Sequence, residues 1–536
     1  MASLSANEQL MLELVNRARL DPQAEADRYG IDLNKDLPPG TISAAPKAPL
    51  AFHDKLVDSS RAHSQWMIDN DIFSHTETSG TPGFTGSTAG DRMQAAGYVF
   101  NGSWSWGENI AWQGTTGTPD LTAYIYDQHK GLFKSAGHRE NILSENFREI
   151  GIGQKDGVFT SGTDYNSSMI TQNFAKSGSD YFITGVAYTD SNSDNFYTAG
   201  EGHANVNISI ADGSGTHVVS ALSEPAGGHR AAVSNGDYQI SFSGGGLPSA
   251  VRVDATVAGG NIKIDLIGNS RIAASVDAVL MDNATDLDLL GMADIDGTGN
   301  GLDNTIRGNR GNNHLSGGSG RDNLQGGAGD DVLDGGSGND WMFGGEGNDT
   351  YHVDETLDYI DEGVAFPSLP GGGNDTLIST AAWYYESNFT IENLIIDENA
   401  KTDGGVTTIV GGGFDNVITG NSGNNNIYVN WGNDTVTGGA GLDHIDLSDR
   451  SGGATGANTV KVIDGCDFDI LWNFMPGTDK VDISAHGFAD FTALKAVGAE
   501  DGSGNTFFDL GHGDGDYLIF VGESMASLSA GDFIFV

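Results

Sequence analysis

The sequence predicts a multi-domain chain: an α+β sandwich (αβα), then a β-sandwich spacer, then parallel β-rolls. Three observations carry this reading. Apolar residues recur at helical spacing near the N-terminus, short period-two stretches broken by glycine follow, and nine-residue units rich in glycine and aspartate fill much of the chain after Gly308. A chain of 536 residues also exceeds what one hydrophobic core organises. The expected boundaries are 1–180 for the α+β domain, 181–270 for the β-sandwich and 271–360 for a first roll. A spacer at 361–410 and a second roll with a C-terminal cap at 411–536 complete the chain.

The N-terminal helix is read from Leu10, Met11, Leu14, Val15 and Ala18, which share one face between Asn7 and Arg19. Asp21-Pro22 ends or kinks it, since proline lacks the amide that a continuing helix needs. A second helix carries Leu56, Ser60, His63 and Met67 on one face, and Leu121 to Phe133 reads as another. Gly151–Gly153 and Met169–Phe174 read as short strands. Beyond them, Ala204–Ile210, Gly236–Phe242 and Asn261–Leu266 alternate with period two, as strands with one buried face do.

From Gly308 the chain reads GNRGNNHLS, GGSGRDNLQ, GGAGDDVLD, GGSGNDWMF, GGEGNDTYH. Asp322, Asp331, Asp340 and Asp349 occupy one place in these units; Leu315, Leu324, Leu333, Met342 and Tyr351 occupy another, two residues on. A second array from Gly411 carries Ile418, Ile427, Val436 and Ile445 at the apolar place, with Asp415, Asp434 and Asp443 at or near the acidic one. Each unit is a glycine turn and a short strand whose large residue points inward, and only stacking builds a core. The aspartates, with turn carbonyls of Gly317, Gly326, Gly335 and Gly344, form oxygen-only sites suited to calcium. Without the ion, facing carboxylates repel and the rolls are expected to be largely disordered. Asn309, Arg310, Asn312 and Asn313 read as a degenerate capping unit. After residue 455 the pattern suggests β packing that caps the second roll. There Asp464, Asp467, Asp469, Asp479 and Asp482 either ligate a further calcium or line solvated turns.

Charge excludes some partners. Lys and Arg number 26 against 73 Asp and Glu, a formal net charge of -47, so long-range forces repel nucleic acid and anionic membranes. Cys466 is the only cysteine, which rules out an intrachain disulfide. No apolar run is long enough to span a bilayer, and Met1–Ser5 lacks the basic start of a cleavable export signal.

The nonapeptide units resemble the repeats-in-toxin (RTX, hemolysin-type) family. That resemblance implies calcium as cofactor, export by the type I secretion machinery and an extracellular location. In such proteins an uncleaved C-terminal signal follows the repeats, and Ser529–Val536, a hydrophobic tail after Asp532, looks like one.

The N-terminal domain resembles the cysteine-poor bacterial members of the CAP (SCP) superfamily. The matching segments are Phe73-Ser74-His75, Gly107–Ala111, Ser135–Leu143, Ile150–Gly153 and Thr171–Phe174, in the family's order. The resemblance implies a cleft with two histidines and acidic residues, here His75, Glu108 and His138. Two imidazoles and a carboxylate can hold zinc with one position open for water, or hold no metal, with Glu108 orienting one ring. The family's second acid is missing at Leu132–Ser135; Asp127 and His129 are the nearest polar residues. His63 reads as structural or surface, and Arg139 and Asn141 as braces of the second loop. Trp104 and Trp106 either line the cleft or pack under it. The β-sandwich resembles small prealbumin-like or surface-adhesin B-type modules. Asp190, Asn192, Asp194, the Phe196 carbonyl and Glu201 have spacing suited to one calcium.

Three functions fit: an extracellular binding or effector protein with an unidentified ligand, a secreted metal-dependent hydrolase of peptide or lipid, and a structural surface or matrix component.

Overall fold

The computed structural model describes residues 2–362, 373–385, 391–448, 456–511 and 515–536, so part of the expected 361–410 spacer lies outside the described residues. The chain forms two compact units. One runs to Gly297 and includes Asn309–Gly311; the other holds Thr298–Gly308 and Asn312–Val536. Among the described residues no helix is long and apolar enough to cross a membrane.

In the first unit, α1 (Ala6–Leu20) begins with a Ser5/Glu8 capping box, and α2 (Pro22–Arg28) starts on proline with Asp21 as its cap. The expected break at Asp21-Pro22 is thus a junction between two helices. The helices α3 (Asp54–Asp69), α4 (Ala89–Ala95), α5 (Leu121–Lys134) and α6 (Ala136–Leu143) surround a four-stranded sheet. Its strands are β1 (Ala51–Phe52), β2 (Ser105–Thr115), β3 (Glu149–Thr160) and β4 (Asp164–Lys176), ordered β1-β3-β4-β2. Alternation along β3 decides what covers each face. Ile150 and Ile152 join the core cluster of α1, α5 and α6. Gly151 and Gly153 face the other way, where any Cβ would collide with the backbone of α3 at Leu56–Val57 and Ser60–Arg61. The strands expected to be short span 12 and 13 residues, because their pairing continues past the apolar segment to a polar hairpin at Thr160↔Asp164.

The sandwich follows with two sheets. One pairs Val206–Asp212, His217–Leu222, Gly236–Gly244, Val251–Val257 and Ala278–Asp282 antiparallel. The other joins Tyr181–Tyr188, Gly228–Val233, Ile262–Ile267, Arg271–Ala274 and Asp286–Leu289. Residues 271–297, expected in the first roll, therefore belong to the first unit. Ile262–Ile267 is buried at every position, unlike a strand with one wet face. Its outer face meets α1: Lys263 Nζ lies 2.9 Å from Glu13 Oε2 and also pairs with Asp265, all three buried. Asn261 Nδ2 donates to the carbonyls of Pro49 and Arg148 at 3.0 and 2.7 Å. The sandwich is a docked part of the unit, more than a spacer. Asn309 and Arg310 also serve this unit, at Ala293 O and Asp21 Oδ2, and do not cap a roll.

In the second unit, parallel strands stack at a step of two nonapeptides, with Leu324 opposite Met342 and Leu315 opposite Leu333. Leu315, Leu324, Leu333, Met342, Tyr351, Ile418, Ile427, Val436 and Ile445 are all 0% exposed, as the inward reading requires. The array starts one unit earlier than read: Thr305–Arg307 pairs with Asn323–Gln325, and Ile306 is buried. Thr376–Ser379 and Asn393–Ile396 link the two arrays within one parallel ladder, so the described part of the expected spacer belongs to the stack. The C-terminal residues Phe533–Ile534 pair with Val481–Asp482, and Phe533 stacks among Phe491, Phe508 and Phe520.

One buried cluster sets the acid response of the first unit. Arg17 donates twice to Glu25, at 2.9 and 2.8 Å, and His129 Nε2 lies 2.8 Å from Glu25 Oε1. Burial raises this carboxyl, but hydrogen bonds and charge from His129 and Arg17 outweigh it and hold it at about 2, against 4.5 unfolded. A depressed carboxyl stabilises the fold above its unfolded pKa and loses that contribution as pH falls through the folded value. About 3 kcal/mol is therefore expected to disappear between roughly pH 4.5 and 2. Hydrogen exchange of the α1 amides in urea should show this loss, and Glu25→Gln should flatten it.

Candidate functional site

The polar cleft is built on β2. Strand pairing with β4 fixes Glu108 opposite Asn173, and Asn141 Nδ2 donates to the Glu108 carbonyl and to Asn109 Oδ1. The Glu108 carboxylate is buried and doubly engaged. His75 Nδ1 lies 2.9 Å from Oε1, and Arg92 Nη2 donates to Oε2. Burial raises Glu108, but the His75 hydrogen bond and the Arg92 charge outweigh it, so the carboxyl sits below its usual range.

Behind this pair lies a second layer that the sequence reading missed. His63 is fully buried, not on the surface, with Nδ1 3.0 Å from Glu77 Oε1 and Nε2 3.9 Å from Glu108 Oε1. Arg92, also buried, has Nε 3.7 Å from Glu77 Oε1 and donates to the His75 carbonyl. No periodicity marks Arg92 or Glu77. The only signal was that both are charged residues near the FSH segment.

His75 is 53% exposed at its side chain, and its ring centre lies 6.4 Å from that of His138. Burial, then the proximity of His75, lowers the pKa of His138. The zinc expectation gains no support. Both Glu108 oxygens are taken, one of them by a fixed guanidinium, and His75, Glu108 and His138 do not form a group with ligand atoms within 4.8 Å of one another. Asp127 instead accepts from Gln113, and His129 is buried against Glu25. Arg139 braces the loop as expected, donating to the carbonyls of Leu33, Phe133, Lys134 and Lys35. Trp104 and Trp106 are 53% and 40% exposed, which places them on the surface and not beneath the cleft.

The second candidate is the aspartate ladder of the rolls. The amides of Asn304 and Asp322 donate to Asp322 Oδ1 and Asp340 Oδ1, respectively. Asn313 and Asp331 donate in the same way to Asp331 and Asp349, and Asn416 and Asn425 to Asp434 and Asp443. Every one of these bonds is 2.7–2.8 Å and spans 18 residues. In all six aspartates the other oxygen, Oδ2, is buried and has no hydrogen-bond partner among the described residues. Burial pushes Asp331, Asp434 and Asp443 up to about 7 and Asp322, Asp340 and Asp349 up to about 6.

Turn carbonyls converge on the same places. A Cβ on Gly317 would meet Asp322 Oδ2 and, at 2.6 Å, the Gly335 carbonyl; one on Gly326 would meet Asp331 Oδ2 and, at 2.6 Å, the Gly344 carbonyl. The carbonyls of Gly317 and Gly326 face Gly299 and Gly308 in turn. Carboxylate and carbonyl oxygens without nitrogen or sulfur fit calcium. Six buried oxygens without donors are a large cost unless a cation meets them, since each ionised group buried alone costs several kcal/mol.

Asp415 departs from its expected place. It is exposed and accepts from Asn433, whereas Asn416 holds the buried position. Asp479 carries the ladder onward, accepting from Asn458, while Asp469 is buried beside Asp443 with neither oxygen hydrogen-bonded among the described residues. Asp464 is exposed and groups with His486 and Asp516. Asp467 is exposed, and Asp482 accepts from Ser484 N–H. In the sandwich loop, Asp190 accepts from the amides of Asp194 and Asn195, Asp194 from that of Phe196, and Glu201 from those of Ser191 and Thr198. Asn192 Nδ2 donates to Asp194, and Arg271 Nη2 lies 3.7 Å from Asp190 Oδ2.

Among protein families, residues 12–174 match the cysteine-rich secretory protein family, CAP. Residues 298–324, 316–351 and 404–445 match the RTX calcium-binding nonapeptide repeat. The chain is 32% identical over 153 residues to the uncharacterized protein YkwD of Bacillus subtilis (strain 168), covering 28% of this chain and 44% of that protein. It thus spans under half the length of that relative. An extracellular protein containing a SCP domain from Bacillus anthracis str. Ames is similar at 24% identity, over 32% of this chain and 44% of that one, with a TM-score of 0.20. Extracellular lipase LipA from Serratia marcescens is similar at 19% identity, over 48% and 41%, with a TM-score of 0.19.

The cleft geometry separates two substitutions. Glu108→Gln leaves the buried Arg92 with less compensation and should cost about 3 kcal/mol. The exposed His75→Ala should cost below about 1 kcal/mol. Urea unfolding followed by hydrogen exchange in β2 and β4 measures both.

Proposed function

Since residues 12–174 are a CAP domain and the C-terminal half carries RTX calcium-binding repeats, we propose that this chain is an extracellular protein that folds around calcium after export and uses its CAP cleft to bind a ligand. The observation that carries the binding reading over a hydrolytic one is the engagement of Glu108. For Glu108 to act as general base it would need a free oxygen near the reacting atoms, and here one oxygen holds His75 and the other holds Arg92. His75 and the half-buried His138 then present imidazole donors and acceptors at the surface, with Trp104 exposed just before β2 and Trp106 exposed at its second residue. Exposed indoles beside fixed polar groups suit recognition of a ligand with both apolar and polar parts.

Export suits a fold that depends on its ion. At sub-micromolar calcium inside a cell the ladder would stay uncompensated and the chain loose, which suits passage through type I secretion machinery. Millimolar calcium outside then matches the affinity range of extracellular calcium modules. Neutralisation by bound cations also relieves part of the net charge of -47.

Calcium-refolded protein should carry calcium without stoichiometric zinc by elemental analysis. Wild type and His138→Ala should show the same background turnover on ester and peptide substrates. Turnover that depends on His138, or zinc that is lost in His138→Ala, would replace this reading with the metal-dependent hydrolase.

A further inference from the structure

The first array ends on a group of carboxylates that its nonapeptide units do not supply alone. Asp349 holds the acidic place of the fifth unit, and Asp375 and Glu362 come from beyond it. One oxygen from each lies within 4.8 Å of the others, and the three residues are 1%, 1% and 2% exposed. Asp375 extends the ladder: its Oδ1 accepts from the Asp349 amide at 2.8 Å, across 26 residues instead of 18. Glu362 takes no place in that ladder. It follows the strand Tyr359–Asp361 and is buried in the roll beside the aspartate pair.

Glu362 is held there by a residue of the array. The Tyr351 hydroxyl donates to Glu362 Oε1 and accepts from the Gly344 amide at 2.7 Å. Glu362 Oε2, like Asp349 Oδ2, is buried with no hydrogen-bond partner among the described residues. A pair of stacked aspartates is thus met by a third, independently anchored carboxylate whose Oε2 has no hydrogen-bond partner among the described residues. Three such groups repel one another strongly in a poorly solvated space, and a hard divalent cation is the partner that their oxygens fit.

We propose that Asp349, Glu362 and Asp375 form a calcium site closing the first array, with Glu362 as a ligand from outside the repeats and Tyr351 as its positioning residue. The proposal rests on the reading that the rolls fold around calcium. Because affinity among oxygen sites rises with ligand charge, this site is expected to fill at lower calcium than the repeat junctions.

Calcium bound per full-length chain, measured by elemental analysis across a calcium titration after refolding, tests this. Glu362→Gln should lose one equivalent, the one bound at the lowest calcium, while the remainder stays. Tyr351→Phe should keep that equivalent at about 10-fold weaker affinity, the lower end of what losing an outer-shell hydrogen bond costs. If Glu362→Gln does not refold, Asp375→Asn reads the same loss. Asp331→Asn, which lies in the repeat ladder, separates the two ideas. If it loses calcium while Glu362→Gln and Asp375→Asn keep every equivalent, the closing site is refuted and the repeat reading stands. Unchanged calcium in all of these variants refutes both.

Discussion

The second unit depends on an unequal division of labour within each ladder aspartate. One oxygen is consumed by an amide two turns earlier, which locks the carboxylate in place and makes its burial unavoidable. In Asp322, Asp331, Asp340, Asp349, Asp434 and Asp443 the other oxygen is buried and has no hydrogen-bond donor among the described residues, with glycine carbonyls close by. The net worth of a backbone hydrogen bond is about 1 kcal/mol, whereas a buried ionised oxygen left alone costs more than that. The ladder therefore does not stabilise itself, and the parallel strands beside it inherit the deficit. In the proposed account a cation reverses the balance at the rungs that carry an unpartnered oxygen, which couples folding to calcium binding.

The first unit rests on a different principle. Several of its buried charges are matched by opposite charges inside the protein: Glu25 by Arg17 and His129, Lys263 by Glu13 and Asp265, Arg92 by Glu77 and Glu108. It needs no ion to balance them. The cleft follows the same pattern, since the Glu108 carboxylate is already paired on both sides. What remains available at the surface is a pair of imidazoles and exposed indoles, a recognition surface more than a reacting centre.

The repeats were legible because a nine-residue period repeats glycine, aspartate and a large apolar residue in register, and such regularity survives without knowledge of distant contacts. The unit at 299–307 escaped because Asn304 stands at the acidic place and Leu302 replaces the glycine that every unit of the first array from Gly308 carries at its fourth place. Asp415 misled for a related reason: one position away from the buried place, it points outward, and period two leaves no middle ground. The helices of the first unit followed from apolar spacing. Their partners did not, because Arg92, Glu77 and His63 meet Glu108 only through tertiary folding, and nothing local announces it. Glu362 likewise carries no repeat position, and its meaning arises only where the chain brings it back to Tyr351. The docking of the sandwich on α1 was hidden too, since Lys263 alternates like any outward residue and becomes buried only against Glu13.

Hydrogen exchange resolved along the full chain, with and without a calcium chelator, tests the central claim most directly. Chelation is expected to strip protection from the strands between Thr305 and Asp482 while β2, β3 and β4 keep theirs. Equal protection of those roll strands in both conditions would contradict the account, because the unpartnered oxygens would then need no cation to stay buried.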